Sequence, residues 1–368
     1  MTVKIAYLCG SVSWGGLEMN QLKNARWMAQ RGHAVLMLCQ QDSPLFTMAK
    51  SANLEVVTIP PHKKYYDFKA GKTIAKQLDE LNVTHLIIRS TADMSVAVIA
   101  KRKSKQAIHL SYFMEMQLGV KKRNLLHTIR FSYLDLWSCP LHYLAEQVRT
   151  MTRFDKHKIK VIPSGVELAI FQTQIPQSLC RTRLNLPTDK ICIGLIGRFD
   201  PQKGQLVLLD AFEKLNNPNL HLCFLGESTK GEAESYTKEL VHRIANSSLN
   251  SHISILPFRN DVETFYKAID MLVMATKAET FGMVTVEAIA SGTPVVASNA
   301  GGSPEILKQG ELGTLFESGN SVDLARAIST MLDKKLNLSP IVLVESAKVY
   351  CHLSVCDKVE NILGISSK

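Results

Sequence analysis

The stretch ICIGLIGRFDPQKGQLVLLDAFEKLNNPNLHLCFLGE, residues 191–227, contains the pattern that decides the fold. Its two ends, ICIGLIG and LHLCFLGE, are short apolar runs bounded by glycine and polar residues, which is typical of buried strands. Between them, GQLVLLDAFEKLN places apolar side chains at the spacing of a helix. A strand, a helix and a second strand in this order predict a βαβ unit, whose two strands lie parallel.

The same alternation continues in both directions along the chain. Downstream, a charged helix is expected near residues 232–247, and strands are expected at HISILPF, DMLVMAT and TPVVASN. Upstream, strands are expected at KIAYLCG, AVLMLCQ, LEVVTIP, THLIIRS, AIHLSYF and IKVIPSG, with helices after Gly16 and near residues 68–80 and 93–103. Residues 166–190 mix Pro, Gln, Thr and charges without a period and are predicted to form an interdomain linker. Two α/β domains with parallel sheets are therefore predicted, with a ligand cleft at the carboxyl ends of their strands.

The composition is that of an ordinary globular protein, and it excludes several other classes. Of the 368 residues 46% are hydrophobic and 21% charged, which argues against disorder. The eight cysteines are scattered and include no CxxC pair, so neither a disulfide framework nor a zinc site is indicated. The sequence has no signal-peptide pattern and no apolar run of about 18 residues, so a cytoplasmic protein is expected.

The turn GRFDPQKG, residues 197–204, is the first candidate for chemistry. Arg198 and Lys203 flank it, between a predicted strand and the amino terminus of a predicted helix. Two cations beside free helix N–H groups form an anion site, because both attract phosphate. The alternative is a solvated turn in which Lys203 merely begins a helix, and the turn alone does not decide between the two.

The second candidate is the stretch KAETFGMVTVEAIASG, residues 277–292. It places Glu279 in a loop and Glu287 a few residues into a helix that begins near residue 283 or 284. A carboxylate in the first turns of a helix is well placed to accept hydrogen bonds from sugar hydroxyls. Glu287 as a surface residue is the alternative, but the helix around it is apolar, which favours a buried role. Three backbone N–H groups are candidates for a phosphate nest: those of Phe281, Gly282 and Met283.

Five strings carry a resemblance to a known family: WGGLE, IPSGVEL, GRFDPQKG, ETFGMVTVEAIASGTPVVAS and GGSPEI. In these five strings the chain resembles the retaining glycosyltransferases with the GT-B fold, specifically the large bacterial group that builds surface polysaccharides and glycolipids. Several weak motifs in the correct order are a far more specific signal than any one of them. The resemblance implies that two Rossmann-like domains face each other across a cleft. It implies an acceptor-binding domain in residues 1–168, a donor domain in residues 169–346 and a crossover helix in residues 347–368.

The resemblance also implies roles for individual residues at the donor site. Arg198 and Lys203 match the pair that neutralises the diphosphate of a nucleotide-sugar donor. Gly15 and Gly16 match a glycine loop that comes close to this diphosphate, and Glu287 matches the residue that holds the ribose. The implied activity is transfer of the sugar to a saccharide or lipid-linked acceptor during synthesis of cell-envelope polysaccharide or lipopolysaccharide.

For catalysis, the resemblance implies electrostatic stabilisation of the leaving diphosphate, with no protein nucleophile, no metal and no cofactor. Glu279 matches the residue near the reaction centre. The chain departs from the family where many relatives carry a histidine just before a motif like MQLGVKKR, because Glu115 stands there. Glu115 is predicted to act in the cleft, with a surface substitution as the alternative, and His109 is predicted to be structural.

The net charge of +10 favours an anionic partner. Between Lys101 and Arg123 there are seven basic residues against one acidic residue, and the partly amphipathic LLHTIRFSYLDLW follows. This pattern is typical of a peripheral contact with the anionic inner face of a membrane, and a solvated basic face explains it equally well. Nucleic acid is not an expected partner, since no binding motif accompanies the charge.

Other functions compete with sugar transfer. A nucleotide-sugar epimerase shares the predicted architecture and would convert the donor without an acceptor, whereas a phosphorylase would have a much longer chain. A catalytically silent nucleotide-sugar-binding partner subunit is the second rival, and only Glu115 argues for it. A dinucleotide oxidoreductase is disfavoured, because GSVSWGG lacks the G-x-G-x-x-G spacing.

Overall fold

The structure is a computed structural model that describes residues 3–228, 234–333 and 339–365. It divides into two compact units. Unit 1 comprises the chain up to Gly165 and the segment from His352 onward, and unit 2 comprises Val166–Cys351. The predicted boundaries, after residue 168 and before residue 347, lie a few residues from these.

Unit 1 is built on a fully parallel sheet with the strand order β3-β2-β1-β4-β5-β6-β7. Its strands are β1 (Lys4–Cys9), β2 (Ala34–Gln40), β3 (Glu55–Ile59), β4 (His85–Ile88), β5 (His109–Phe113), β6 (Leu136–Cys139) and β7 (Ile159–Val161). Its helices up to this point are α1 (Gly16–Gln30), α2 (Pro44–Ser51), α3 (Phe68–Glu80), α4 (Met94–Lys103), α5 (Leu125–Ser132) and α6 (His142–Met151), with a short 3-10 turn at Lys156–Lys158.

Burial on both faces explains the continuous apolar runs of the central strands. Residues 5–9 of β1 are completely buried, and so is most of β2, as expected for parallel strands covered by helices on both sides. α1 ends where Gly32 adopts the left-handed conformation with a φ of 87°, which a side chain would disfavour. The predicted strands and helices of this unit that were named from the sequence are all present. The elements α2, α5, α6 and β6 were not individually predicted.

Unit 2 repeats the arrangement, with a parallel sheet in the order β10-β9-β8-β11-β12-β13. Its strands are β8 (Ile191–Ile196), β9 (Leu220–Leu225), β10 (Ile253–Leu256), β11 (Met271–Met274), β12 (Val295–Ser298) and β13 (Thr314–Phe316). Its helices are α7 (Leu168–Phe171), α8 (Gln177–Arg183), α9 (Gln205–Leu215), α10 (Glu234–Ala245), α11 (Val262–Ala268), α12 (Met283–Ala290), α13 (Ser303–Ile306), α14 (Ser321–Asp333) and α15 (Pro340–Ala347), with 3-10 turns at Asn250–His252, Lys308–Gly310 and Lys348–Tyr350. The predicted α/β class with two Rossmann-like parallel sheets is thus confirmed.

The prediction of a linker over residues 166–190 is wrong, because this segment is folded into unit 2. Arg181 of α8 is buried, and its guanidinium donates to the Ala268 carbonyl at 2.9 Å and to Asp270 at 2.5 Å. Asp270 also accepts the backbone N–H of Cys192 at 2.7 Å. Asp270 therefore anchors the segment to the starts of β8 and β11, which is a structural use of this carboxylate.

The last helix, α16 (His352–Leu363), belongs to unit 1 and packs on α1. Val355, Cys356 and Val359 join the apolar core of that unit. Residues 366–368 of the predicted crossover segment lie outside the described residues. Within the described part of the chain, no helix has both the length and the apolar character needed to span a membrane.

Candidate functional site

The carboxyl edge of the sheet in unit 2 carries the anion turn predicted from GRFDPQKG. The turn leaves β8 at Gly197 and ends at Gly204, which has a φ of 74° and lies so close to β11 that a Cβ would meet the Ala275 carbonyl oxygen at 2.2 Å. Gly226, at the end of β9, is equally constrained, since a Cβ there would meet the Gly197 oxygen at 2.1 Å. Glycine at these positions lets three strand ends converge.

A buried side chain fixes the shape of this turn. Gln205, at the start of α9, donates from Nε2 to the Arg198 carbonyl at 2.7 Å, and its Oε1 accepts the Tyr236 hydroxyl at 3.2 Å. Tyr236 also accepts the N–H of Leu206 at 3.2 Å. This role of Gln205 was not predicted from the sequence, because a glutamine at the start of a helix has no signature of it.

The structure brings Lys203 and Glu279 together. Lys203 Nζ lies 3.2 Å from Glu279 Oε2, and both side chains are largely but not fully buried. The Glu279 backbone is fixed as well, since its carbonyl accepts the N–H of Gly302 at 3.0 Å and a Cβ on Gly301 would meet that same oxygen at 1.9 Å. Arg198 is 60% exposed, with Nη2 4.0 Å from Asp200. The turn therefore carries both cations, and one of them, Lys203, is paired with Glu279.

Helix α12 begins at Met283, within the predicted range, directly after Gly282 with a φ of 106°. Glu287 lies one turn into it and is half-buried, and its Oε2 accepts the Tyr266 hydroxyl at 2.8 Å. Burial, and secondarily the charge of Glu287, raise the pKa of Tyr266, so its hydroxyl remains a donor. Phe281 is buried and packs edge-on against Tyr350 at 5.8 Å, so its side chain is structural while its backbone leads into the helix.

An open cavity of about 810 Å³ lies beside Arg198 in unit 2. It borders the carboxyl ends of β8 and β9, and its far wall is formed by Phe258, Arg259 and Val262. Phe258 is 63% exposed, and Arg259 forms a bidentate ion pair with Asp261 at 2.9 and 2.7 Å. This volume and position are those of ligand sites in open α/β sheets. An exposed aromatic ring beside an anion turn suits a nucleotide base next to its phosphates.

The predicted residues of unit 1 occupy two places. Gly15 is the extended residue before α1, and Gly16 is the first residue of that helix, with open space around the position of a Cβ. Glu115 follows β5, where Arg89 forms an ion pair with Oε1 and Asn20 donates to Oε2 at 3.2 Å. Burial raises the pKa of Glu115, although Arg89 and Asn20 oppose that shift. The carboxylate of Glu115 is thus paired with Arg89. Both residues line a cavity of about 20 Å³, which has room for about one water molecule.

A buried polar cluster that was not predicted from the sequence lies at the carboxyl edge of the sheet in unit 1. Asp93 Oδ1 accepts His62 Nε2 at 2.9 Å and the N–H of Gly10 at 3.1 Å, and the His62 and Asp93 side chains are at most 3% exposed. A Cβ on Gly10 would lie 2.2 Å from the His62 ring. Through the N–H of Gly10, the cluster fixes the start of the loop that leads from β1 to Gly15. His62 stands alone in PPHKKYYDF, so no spacing in the sequence indicated its partner.

This cluster predicts a loss of stability as the pH rises above about 6.5. The hydrogen bond to Asp93 raises the pKa of His62 above its ordinary value of 6.5. The stabilisation is therefore complete below about pH 6.5 and is lost as the pH rises through the raised pKa. We expect Asp93→Asn to cost about 1 to 3 kcal/mol and to flatten this pH dependence. Urea unfolding followed by tryptophan fluorescence tests it, and an unchanged slope in the variant would contradict it.

His109 lies within β5, as predicted, and its ring packs against that of His85 at 5.2 Å. Burial lowers the pKa of His109, so a neutral, structural histidine is consistent with its position. Among the described residues, no group of three or more His, Cys, Asp or Glu side chains is arranged to hold a metal ion.

Two family models match this chain in succession. The model for Glycosyltransferase Family 4 matches residues 14–170, and the model for Glycosyl transferases group 1 matches residues 178–350. Both matched regions are thus assigned to glycosyltransferase families, and the chain has the GT-B fold. The match to Glycosyl transferases group 1 contains the anion turn, Glu279 and Glu287. The match to Glycosyltransferase Family 4 contains Gly15 and Glu115.

Individual relatives agree with this assignment. The chain is 32% identical over 193 residues to the D-inositol 3-phosphate glycosyltransferase of Mycolicibacterium smegmatis. The matched region is 52% of this chain and 44% of the relative, so the chain spans less than half of that protein's length. Its fold is similar to that of HepE from Anabaena in complex with UDP (TM-score 0.87, 21% identity, 98% and 100% of the two chains) and with UDP-glucose (0.80, 22%, 98% and 99%). It is also similar to the lipopolysaccharide outer core galactosyltransferase WaaB (0.75, 16%, 98% and 99%).

Proposed function

We propose that this chain transfers a sugar from a nucleotide-diphosphate sugar to an acceptor hydroxyl. The observation that carries this proposal is the turn at the strand ends of unit 2, where Lys203 pairs with Glu279 and Arg198 borders a cavity of about 810 Å³. Cations fixed in advance stabilise the charge that develops on a leaving diphosphate without reorganising during the reaction. Glu279 lies where it can accept from a hydroxyl of the transferred sugar while Lys203 neutralises its charge.

The proposed donor carries UDP. Phe258 offers an exposed ring for stacking on the base, and Glu287, oriented by Tyr266, is placed to accept from the ribose hydroxyls. The structures of HepE with UDP and UDP-glucose support this choice. No protein nucleophile is proposed, and transfer with retention at the anomeric carbon follows from attack on the face that the diphosphate leaves.

The proposed acceptor is a saccharide or a lipid-linked saccharide in the synthesis of cell-envelope polysaccharide or lipopolysaccharide, with unit 1 as the acceptor-binding domain. The likeness to WaaB supports this role, and the relative named for D-inositol 3-phosphate supports an acceptor of saccharide-like polyol chemistry. The proposed place of action is the cytoplasm, at the inner face of the membrane.

Thermal unfolding of the full chain with UDP, GDP, ADP and CMP tests the donor site. Binding to the folded state alone at about 100 times Kd adds about 2.7 kcal/mol, which raises the Tm by about 5 to 10 °C for a unit of this size. We expect UDP to give this shift and Glu287→Ala to lose most of it. Glu287→Gln is the matched variant, because it keeps an acceptor for the buried Tyr266 hydroxyl.

The outcomes distinguish the competing functions. If none of the nucleotides stabilises the wild type, the donor site is wrong. If UDP binds and UDP-glucose is converted to another nucleotide sugar without an acceptor, the chain is an epimerase. If UDP binds and UDP-glucose remains intact with every saccharide and lipid-linked acceptor offered, the silent binding subunit is favoured.

A further inference from the structure

Unit 1 exposes a large apolar surface beside helix α5. We call it the α5 face; the exposed fractions of its main side chains are 43% for Tyr65, 65% for Tyr66, 56% for Phe68, 70% for Leu125, 63% for Leu126 and 48% for Ile129. Phe131 on the same helix is 3% exposed, so α5 buries one residue and turns three aliphatic residues outward. Single exposed apolar side chains are normal, but a contiguous group of this size marks an interaction surface.

The rim of the α5 face is basic. Lys121, Lys122 and Arg123 immediately precede α5, and the sequence has no Asp or Glu between Glu115 and Asp135. Other cations lie nearby, on the loop before α3 and at the end of α4: Lys63, Lys64, Arg102 and Lys103. The loop before α3 also carries an acidic residue, Asp67, which caps that helix: its carboxylate accepts the N–H groups of Ala70 and Lys63. Lys101, counted in the basic run of the sequence, is instead turned inward to Asp135.

A groove of about 360 Å³ runs through this face between α4, α5 and the loop that carries Tyr65. Arg130 lies in its wall and donates to Ser95 Oγ at 3.2 Å and interacts with His127 Nδ1 at 3.1 Å, neither of which is a carboxylate. Its guanidinium lies over the Tyr65 ring at 5.2 Å, and its Nε is buried with no hydrogen-bond partner among the described residues. A cation without a counter-charge in an apolar groove is suited to an anionic group with an apolar chain attached.

We propose that the α5 face docks on the surface of an anionic lipid bilayer, with a lipid phosphate at Arg130 and the aliphatic side chains of α5 in the interfacial region. Apolar residues on a helix with a cationic border form the pattern that lies in a membrane interface. A nucleic acid would use the cations but not Leu125, Leu126 and Ile129. The inference rests on the proposed function only for the membrane location, and it does not require transferase activity.

Co-sedimentation of the full chain with lipid vesicles, without nucleotide or acceptor, tests this proposal. We expect binding to vesicles with about 30% phosphatidylglycerol, weaker binding to phosphatidylcholine alone and weakening by salt. Replacing Lys121, Lys122 and Arg123 by glutamine should lower the partition coefficient about 100-fold, since each charge contributes about fivefold. Leu126→Gln with Ile129→Gln should lower binding at unchanged charge, and Arg130→Gln should lower it selectively on anionic vesicles.

Matched variants guard against a general effect of charge or polarity. Lys50, Lys156 and Lys160 are exposed lysines of unit 1 outside this face, and their replacement by glutamine removes the same charge. Val322 and Ile341 are exposed apolar residues of unit 2, and their replacement by glutamine is the control for Leu126→Gln with Ile129→Gln. The proposal is overturned if wild type does not bind anionic vesicles or if the two lysine sets reduce binding equally. Binding to RNA or to a protein with no binding to vesicles would overturn it too. Loss of UDP binding with intact vesicle binding would count against the proposed function alone.

Discussion

Lys203→Ala should lower kcat/KM for the nucleotide sugar by about 10² to 10³, the cost of removing a fixed group that stabilises developing charge. Part of this loss should appear as weaker binding of UDP itself, at least about tenfold, because a hydrogen bond to a charged group contributes about 1.5 to 3 kcal/mol. Calorimetric titration with UDP and steady-state kinetics separate the two contributions. Lys214→Ala is the matched control, since it removes an exposed lysine from the last turn of α9.

The ion pair between Lys203 and Glu279 allows a second explanation, in which Lys203 only neutralises Glu279. A double variant distinguishes the two, because Glu279→Gln removes the charge that would repel a diphosphate. If Lys203 contacts the diphosphate, the double variant should remain as weak as Lys203→Ala. Recovery of UDP binding in the double variant would show that the main role of Lys203 is to neutralise Glu279. A UDP affinity of Lys203→Ala within twofold of wild type would refute both explanations.

The repeated strand and helix pattern was sufficient to predict the fold. Parallel strands that are covered on both faces must be apolar throughout, so runs such as AVLMLCQ and LHLCFLGE stand out in the sequence. Segments whose burial depends on a few side chains were harder to predict. Residues 166–190 look like a linker because α7 and α8 are short, and α8 is attached by the hydrogen bonds of Arg181, which periodicity does not reveal.

The candidate site was predicted in part for a similar reason. Arg198, Lys203, Glu279 and Glu287 lie in motifs, and the structure adds the contact between Lys203 and Glu279. Pairings between side chains far apart in the sequence leave no local pattern. Glu115 could be placed in unit 1 from its motif, but its ion pair with Arg89 connects the ends of two strands. The roles of these residues in binding and transfer remain predictions.

Glu360→Ala should be among the most destabilising single substitutions in unit 1, at about 3 to 5 kcal/mol, because it removes one partner of a buried ionic cluster. Glu360 on α16 accepts Arg31 through two hydrogen bonds, at 2.7 and 2.6 Å, and lies 2.7 Å from His33 Nε2. The Glu360 side chain is 8% exposed and that of Arg31 is 23% exposed, so water replaces these partners only in part. The cluster fastens the last helix of the chain to the end of α1.

Urea unfolding measured by tryptophan fluorescence tests this prediction, because all three tryptophans, Trp14, Trp27 and Trp137, lie in unit 1. Asp357→Ala is the matched control: Asp357 contacts the same Arg31 at 2.7 Å but is 58% exposed, so its loss should cost less than about 1 kcal/mol. The hydrogen bond from Arg31 lowers the pKa of Glu360 below its ordinary value of 4.5, so the stabilisation is present above about pH 4.5 and is lost as the pH falls through the lowered pKa. The difference between wild type and Glu360→Ala should therefore shrink in acid. A difference below about 1 kcal/mol at neutral pH would mean that the apolar contacts of Val355, Cys356 and Val359 hold α16 in place without the ionic cluster.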